Sequence, residues 1–562
     1  MLAPAPILRL RPPSLCPLLL RRASSTHRRI VLGSAGGASM PRTRRPFEAR
    51  RPPPSAGSPP HHAADGTFCN PWPSYVDLGP REFVTQVLPR LRRLETYALP
   101  TVAPEARALA APRHALQATF LGHVTFLVQA AGWNVLTDPV FSRRCSPVQW
   151  WGPARYTPAV AAPADLPPVH VVLISHNHYD HLDFGSIRAL LEKEQADVAA
   201  GAGAAAAAAS GGGARGGGGG GGGVSDAGGS SSSSGASSSS SSSSTFATRP
   251  YAGTLWVCPL RVADNLVAAG VSRSRIIELD WWDAFTPRLT AEGALDPEAS
   301  AGAIGRAPTG DADAPPGAGA GASASASPPS GDAAAPPPPL HPPAPTLVCT
   351  PAQHQSARTA WDRNRTLWAG YALLAPLRGG GDVRLYFSGD TGYRAVPVAS
   401  PPIAPASAEE AALPACPAFA QIGARLGPFD LALLPIGAYS PREFMSSFHA
   451  SPEDAVAIHA DVAARVSVGM HWGTFPLTDE PVEEPPERLR AAVQRAALPP
   501  GAFVALKPGG TMVADADGDA AAPLRPEHLV SAPTDAYAAA AVAAAKAPGG
   551  IQGVLSLLWG GK

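Results

Sequence analysis

A mostly apolar run, Val169 to Ile174, ends in Ser175-His176-Asn177-His178-Tyr179-Asp180-His181. No other stretch of the chain restricts the possible folds so tightly. The run reads as a buried β-strand, and three imidazoles and a carboxylate crowd the turn that follows it. His176 and His178 are two apart, so on an extended segment both rings point to the same side and can hold one metal ion together. Asp180 and His181 come where the chain must turn, and they can face a second ion. Imidazole nitrogen and carboxylate oxygen suit zinc, and also iron or manganese. The cluster contains no cysteine. That argues against a closed structural zinc site and for a catalytic one, which keeps a position open for water.

Two metal ions need further ligands, and the candidates each follow another strand-like run. His354 comes after Thr346-Leu347-Val348-Cys349-Thr350. Asp390 comes after Val383 to Ser388, within Ser388-Gly389-Asp390-Thr391-Gly392. His471 ends Val466-Ser467-Val468-Gly469-Met470. Taken singly, each is an ordinary polar residue at a strand end. Taken together, ligands at the ends of successive strands can converge on one edge of a sheet.

Length alone, 562 residues, would allow three domains. Composition argues for fewer. Residues 196–245 are Ala, then Gly, then Ser tracts. Residues 286–345 are rich in Ala, Gly, Pro and Ser, and residues 395–417 form a shorter Pro/Ala insert. Such segments bury too little apolar surface to offset the entropy of ordering, and they read as disordered loops. All three lie between the ligand-bearing segments. Setting them aside, with the arm 1–65 and an Ala-rich tail 516–562, leaves one domain over 66–515 with roughly 300 ordered residues. Short apolar runs within it read as strands: Ala118 to Val128, Trp133 to Leu136, Val169 to Ile174, Leu255 to Cys258, Leu431 to Leu434 and Phe503 to Leu506. Helical patterns alternate with them at Ile187 to Glu194, after the capping signal Ser451-Pro452-Glu453-Asp454, and at Pro486 to Leu498. Periodicity by itself says mixed α and β.

The formal net charge of +1 gives no global attraction to nucleic acid or to an anionic membrane. Six scattered cysteines without a CxxC are not a disulfide framework; two of them, Cys16 and Cys416, fall in segments read as disordered or removed. The first 47 residues hold nine Arg and no Asp or Glu, the composition of a mitochondrial or plastid transit peptide. No stretch is long and apolar enough to suggest a transmembrane helix. Tyr537 to Ala547 reads as a marginal surface helix, and Val554 to Trp559 is too short to span a membrane.

The order His-x-His-x-Asp-His, a lone His, Gly-Asp-Thr-Gly and a late His resembles the metallo-β-lactamase superfamily of binuclear metal hydrolases. More specifically, several stretches are similar to the N-acylphosphatidylethanolamine-hydrolysing phospholipase D family. They are Asn70-Pro71-Trp72-Pro73, Leu121-Gly122-His123, Leu136-Thr137-Asp138-Pro139, Leu173 to Asp183, Glu278-Leu279-Asp280-Trp281-Trp282, Thr350-Pro351-Ala352-Gln353-His354, Ser388 to Tyr393, Gly427-Pro428-Phe429-Asp430-Leu431, Pro435-Ile436-Gly437-Ala438-Tyr439 and His471-Trp472-Gly473-Thr474-Phe475. The resemblance covers most of residues 68–510 apart from the inserts. It implies an α/β (α+β) fold, a four-layer αββα sandwich. It also implies two Zn2+ ions, the first on His176, His178 and His354, the second on Asp180, His181 and His471, with Asp390 bridging. Tyr179 and His449 match positions that contact the substrate head group.

The activity so implied is hydrolysis of N-acylphosphatidylethanolamine to N-acylethanolamine and phosphatidic acid, through a metal-bound hydroxide. Its partners would be a phospholipid substrate and a peripheral membrane surface, with a homodimer as the assembly and no nucleic acid. The location would be an organelle or the cytoplasmic face of membranes. Phe68 to Leu99, with Trp72, Tyr75, Phe83, Val87 and Leu88, is the expected attachment surface. A lactonase or soluble phosphodiesterase of the same fold is the rival enzyme, and a non-catalytic scaffold the rival of another kind. The full ligand set argues against the scaffold.

Overall fold

The computed structural model describes residues 60–77, 99–211, 253–290, 294–296, 299–300, 343–359, 361–378, 380–397, 406–514, 522–523 and 526–530. The arm before residue 60, Phe83, Val87, Leu88, Cys16 and the segments Tyr537 to Ala547 and Val554 to Trp559 lie outside these residues.

Two sheets are built from strands whose side chains alternate between two environments. β1 (Leu116–Gly122), β2 (Thr125–Ala130) and β3 (Trp133–Thr137) form an antiparallel meander, and β4 (Val171–Leu173), β5 (Leu255–Pro259) and β6 (Ile276–Leu279) continue it in parallel. Along β3 and β4, Trp133, Val135, Val171 and Leu173 face one core while Leu136 and Val172 face another. This is the period-2 pattern of a sheet covered on both sides. The second of these cores lies against α1 (Phe184–Gly211) and α2 (Ala263–Ala269), through Ile187, Leu190, Ala263 and Leu266.

The second sheet contains β7 (Ala284–Phe285), β8 (Thr346–Thr350), β9 (Gly370–Pro376), β10 (Asp382–Phe387), β11 (Phe429–Pro435), β12 (Ala464–Met470) and β13 (Phe503–Ala505), laid side by side in chain order. β14 (Thr511–Ala514) and β15 (Ala522–Pro523) return to the first sheet beside β1. Because β9 is antiparallel to both β8 and β10, and β10 to β12 are parallel, β8, β10, β11 and β12 all end on one edge. The core between the sheets takes Phe120, Phe126 and Val128 from the first and Tyr371, Leu373 and Phe387 from the second. It runs on to Phe419 and Ile422 of the helix Ala418–Leu426, Ile458 of Pro452–Asp461 and Leu489 of Glu484–Arg495. The result is the mixed α/β architecture with two sheets between helices that the sequence suggested. The Ser451 cap forms as read: its hydroxyl accepts from Asp454 N, and the Asp454 carboxylate returns to Ser451 N.

Four segments depart from the sequence reading. Ala118 to Val128 is not one strand but a hairpin, broken at Gly122-His123, where φ is 116° and 57°. The first insert begins as helix, since α1 extends through residue 211; alanine is the strongest helix former and simply prolongs a helix already begun. The described parts of the insert, 395–397 and 406–417, are anchored rather than loose. Ala395 and Val396 are buried, Cys416 is 1% exposed in the core, and Glu410 pairs with Arg442. A local composition of Ala and Pro conceals this, because the fixing contacts come from residues far along the chain. The tail, too, is partly tied down: β15 pairs with β14, and Lys507 N donates to His528 O.

Candidate metal centre

The cluster His176 to His181 leaves the end of β4 and turns into α1, where Asp183 accepts from Gly185 N and from the Ser186 hydroxyl and so caps the helix start. Two bonds pin the strand end to the other sheet: Tyr371 donates its hydroxyl to Ile174 O at 2.9 Å, and Ala369 N donates to Ser175 O at 2.9 Å. His354 follows β8, Asp390 follows β10 and His471 follows β12, so one sheet edge delivers all three to the β4 cluster.

His176, His178 and His354 form one group. His178 Nδ1 lies 2.8 Å from His176 Nε2 and 3.3 Å from His354 Nε2. Burial holds His176 and His354 well below the usual histidine range and His178 down at about 4, so all three are neutral imidazoles. Asp180, His181 and His471 form a second group. Asp180 Oδ2 is 3.5 Å from His181 Nε2 and 3.4 Å from His471 Nε2. Asp390 lies between the groups, with Oδ2 3.0 Å from both His181 Nε2 and His471 Nε2 and 3.8 Å from His354 Nε2. Burial opposes charge on these four residues. The neighbouring imidazoles nevertheless hold Asp180 and Asp390 well below the carboxylate range, and the carboxylates, Asp390 foremost, push His181 up and His471 up to about 9.

The donor set fits two metal ions. Ligand atoms 2.0–2.1 Å from a tetrahedral zinc stand about 3.3–3.4 Å apart, and the separations above cluster around that value. His181 Nε2, His471 Nε2 and Asp390 Oδ1 are buried and make no hydrogen bond. Unsatisfied buried polar atoms are costly and rare, and here both Nε2 atoms lie 3.0 Å from the same carboxylate oxygen, Asp390 Oδ2.

His449 lies between the helix Arg442–Met445 and Ser451. Its Nδ1 is buried, makes no hydrogen bond and stands 3.8 Å from Asp390 Oδ2. Its ring is 5.1 Å from those of His354 and His471, and burial pulls its pKa down to about 3. Tyr179 is placed differently. Its hydroxyl donates to Arg358 O at 3.0 Å, and the Arg358 guanidinium stacks on its ring at 4.0 Å while donating to Asn177 O and Leu182 O. Tyr179 and Arg358 thus brace the metal loop.

The sequence reading assigned no role to three further residues of the centre. Asp138 accepts from Ser175 N at 2.6 Å, the Ser175 hydroxyl at 2.5 Å and His181 Nδ1 at 2.8 Å, and so orients the His181 ring from behind. His123 reaches Asp180. Gly437 permits close approach of two backbones, since a Cβ there would stand 2.2 Å from His471 O. All three lie in stretches singled out above (Leu136 to Pro139, Leu121 to His123, Pro435 to Tyr439), and that was the available signal.

The model of the beta-lactamase superfamily domain matches residues 133–215 and 337–472, so the chain carries a metallo-β-lactamase-fold domain. Its relatives include N-acyl-phosphatidylethanolamine-hydrolyzing phospholipases D. That of Caenorhabditis elegans is 27% identical over 67% of this chain and 69% of its own length. The mitochondrial one of Saccharomyces cerevisiae is 23% identical over 74% of this chain and 59% of its own. An uncharacterized protein of Mycobacterium tuberculosis is 30% identical over 67% of this chain, and the match spans 64% of that protein's length.

Proposed function

We propose that the chain is a metal-dependent hydrolase using two zinc ions, a phosphodiesterase of the phospholipase D type that cleaves N-acylphosphatidylethanolamine to N-acylethanolamine and phosphatidic acid. The observation that carries the reading is the paired ligand set. His176, His178 and His354 would hold one ion, Asp180, His181 and His471 the other, and Asp390 would serve both. When bound, such ions bring the pKa of water near neutrality and draw off charge from phosphoryl oxygens. His449, beside Asp390 with an unengaged ring nitrogen, would donate to a phosphate oxygen. Tyr179 can do so only by giving up its bond to Arg358 O, so it stands second to His449. The relatives named for this lipid support the substrate, and the yeast protein's name supports an organelle destination for the Arg-rich arm.

A lipid substrate calls for contact with a bilayer. The aromatic residues named for the expected attachment face pack inward where they are described: Phe68 is in the core, Trp72 stacks on Trp281 at 5.3 Å and Tyr75 packs on Phe448, although Val76 beside them is 45% exposed. Exposed indoles stand elsewhere. Trp150 and Trp151 are 80% and 68% exposed, and Trp361 is 87% exposed. The loop before the first pair bonds to the metal loop's end through Ser142 N and Asp183, and the loop of Trp361 bonds to it through Arg358. Tryptophan favours a membrane interface because it pairs a large apolar ring with one polar tip. Among the described residues no helix is long and apolar enough to cross a membrane.

The test uses the full chain. Zinc content is measured, and turnover of N-acylphosphatidylethanolamine in vesicles is compared with that of a lactone and a soluble phosphodiester. Lipid turnover with about two zinc per chain is expected. Full zinc with no lipid turnover rejects the substrate and returns the choice to the lactonase or soluble phosphodiesterase.

A further inference from the structure

We infer that His123 is a positioning residue of the second metal position, fixing the carboxylate of Asp180 from the β1–β2 turn of the same sheet. His123 occupies the β1–β2 turn with φ 57°, left-handed backbone that a non-glycine residue seldom adopts. Such a conformation persists only where its surroundings determine it, and here they do on three sides. Its N–H donates to Thr474 Oγ1 at 2.7 Å, and its carbonyl accepts from His471 N at 2.8 Å. The turn of the first sheet is thereby clipped to the segment that carries His471 at the end of the second. The ring lies 4.2 Å from that of His471 and edge-on to Phe475 at 5.3 Å, and it is 1% exposed.

Within this clamp, His123 Nε2 makes a hydrogen bond of 3.0 Å to Asp180 Oδ2. His181 and His471 face the same oxygen from 3.5 and 3.4 Å, and their Nε2 atoms make no hydrogen bond. The three imidazoles therefore divide the work. Two aim at the space beside the carboxylate, where an ion would lie, and His123 aims at the carboxylate itself. Donating from Nε2 makes Nδ1 the unprotonated nitrogen, and Nδ1 has no partner in its buried setting. A bare acceptor suits that setting better than a stranded N–H. Asp180 sits on a loop, so this bond holds its oxygen in place before any metal arrives.

The inference rests on the metal-centre reading and not on the lipid, and the test needs no substrate. Chelator-stripped full-length protein is titrated with Zn2+ against a chromogenic competitor. His123→Asn tolerates the left-handed backbone but is too short to reach Asp180, whereas His123→Gln keeps both reach and donor. His123→Asn is expected to weaken one of two zinc equivalents by about 10–100-fold and leave the other as it was, with Gln restoring affinity to within several-fold. Unchanged binding of both equivalents in His123→Asn overturns the inference, and so does equal weakening of both. In the unsubstituted protein, histidine 15N shifts read the tautomer independently of any variant's folding. A protonated Nε2 on His123 with zinc bound is expected. A metal-coordinated Nε2 would make His123 a ligand and reject the positioning role.

Discussion

Replacing Arg442 by Met should destabilise the domain far more than loss of a surface ion pair. Arg442 is 7% exposed. Its Nη2 donates to Glu410 Oε1 at 2.6 Å and Asp454 Oδ2 at 2.7 Å, and its Nε donates again to Glu410 Oε1 at 2.9 Å. Asp454 would survive the loss, because Arg394 and Ser451 N still donate to it. Among the described residues Glu410 would keep only the bond from Ala406 N to its other oxygen, leaving Oε1 charged, buried and without a described partner. Stranding one partner of a buried pair costs about 3–5 kcal/mol, against about 0.2–1 kcal/mol for an exposed pair. At about 2–4 °C per kcal/mol the melting temperature should fall by roughly 6–20 °C. Calorimetry of wild type, Arg442→Met, Glu410→Gln and the double variant, all zinc-loaded at pH 7, measures this. The double variant should recover more than 1 kcal/mol of the Arg442→Met loss, because Glu410 no longer carries a charge to strand. A loss below about 1 kcal/mol in Arg442→Met, or strictly additive single effects, would refute the argument. With it would fall the claim that the insert at 406–417 is anchored through Glu410.

Four further outcomes are expected. Asp390→Asn should lower zinc content and hydrolysis together, as plasma emission and turnover would show; persistence of both removes Asp390 from the bridging place. Asp138→Ala should weaken zinc binding by about 10–100-fold by freeing the His181 ring, read by competition titration, and wild-type affinity would deny it that role. His459 is buried, 2.7 Å from the Ser467 hydroxyl, and burial holds its pKa down at about 4. The unfolded chain thus binds the extra proton between about pH 6.5 and 4, so this contribution is complete above pH 6.5 and fades as pH falls. His459→Gln should therefore lose less stability than wild type over that window, by on the order of 3 kcal/mol, in melts at stepped pH; parallel curves would contradict the assignment. Changing Trp150, Trp151 and Trp361 to Ser should weaken vesicle binding roughly tenfold per residue, from about 60 Å² of indole surface withdrawn from water each, leaving zinc content intact. Unchanged co-sedimentation would exclude these loops from the docking face.

How much of this could be read from the chain depends on how local each determinant is. The clustered histidines and aspartates were readable as candidate ligands because chemistry and backbone geometry act over a few residues: His176 and His178 share a side by strand alternation, and His354, Asp390 and His471 each follow a strand-like run. That they could meet at one sheet edge followed from the strand ends, but the strand directions that bring them there were not readable, since they depend on β9 being antiparallel to both its neighbours. The residues that hold these candidates in place escaped for a related reason. Asp138 is 43 residues from the His181 it orients, and His123 is 57 from Asp180. Each lies in a stretch that the family resemblance singled out, but nothing local assigns it a role, and its unusual backbone, φ 30° and 57°, is not displayed by any sequence. Glu410 is the extreme case: an Ala/Pro-rich neighbourhood suggests disorder, and a single buried arginine 32 residues away reverses the conclusion. Composition measures how much apolar surface a segment can bury by itself. It says nothing of a charge that can be buried only because its partner already waits in the core, and segments held in that way will be misread as loose until the partner is seen.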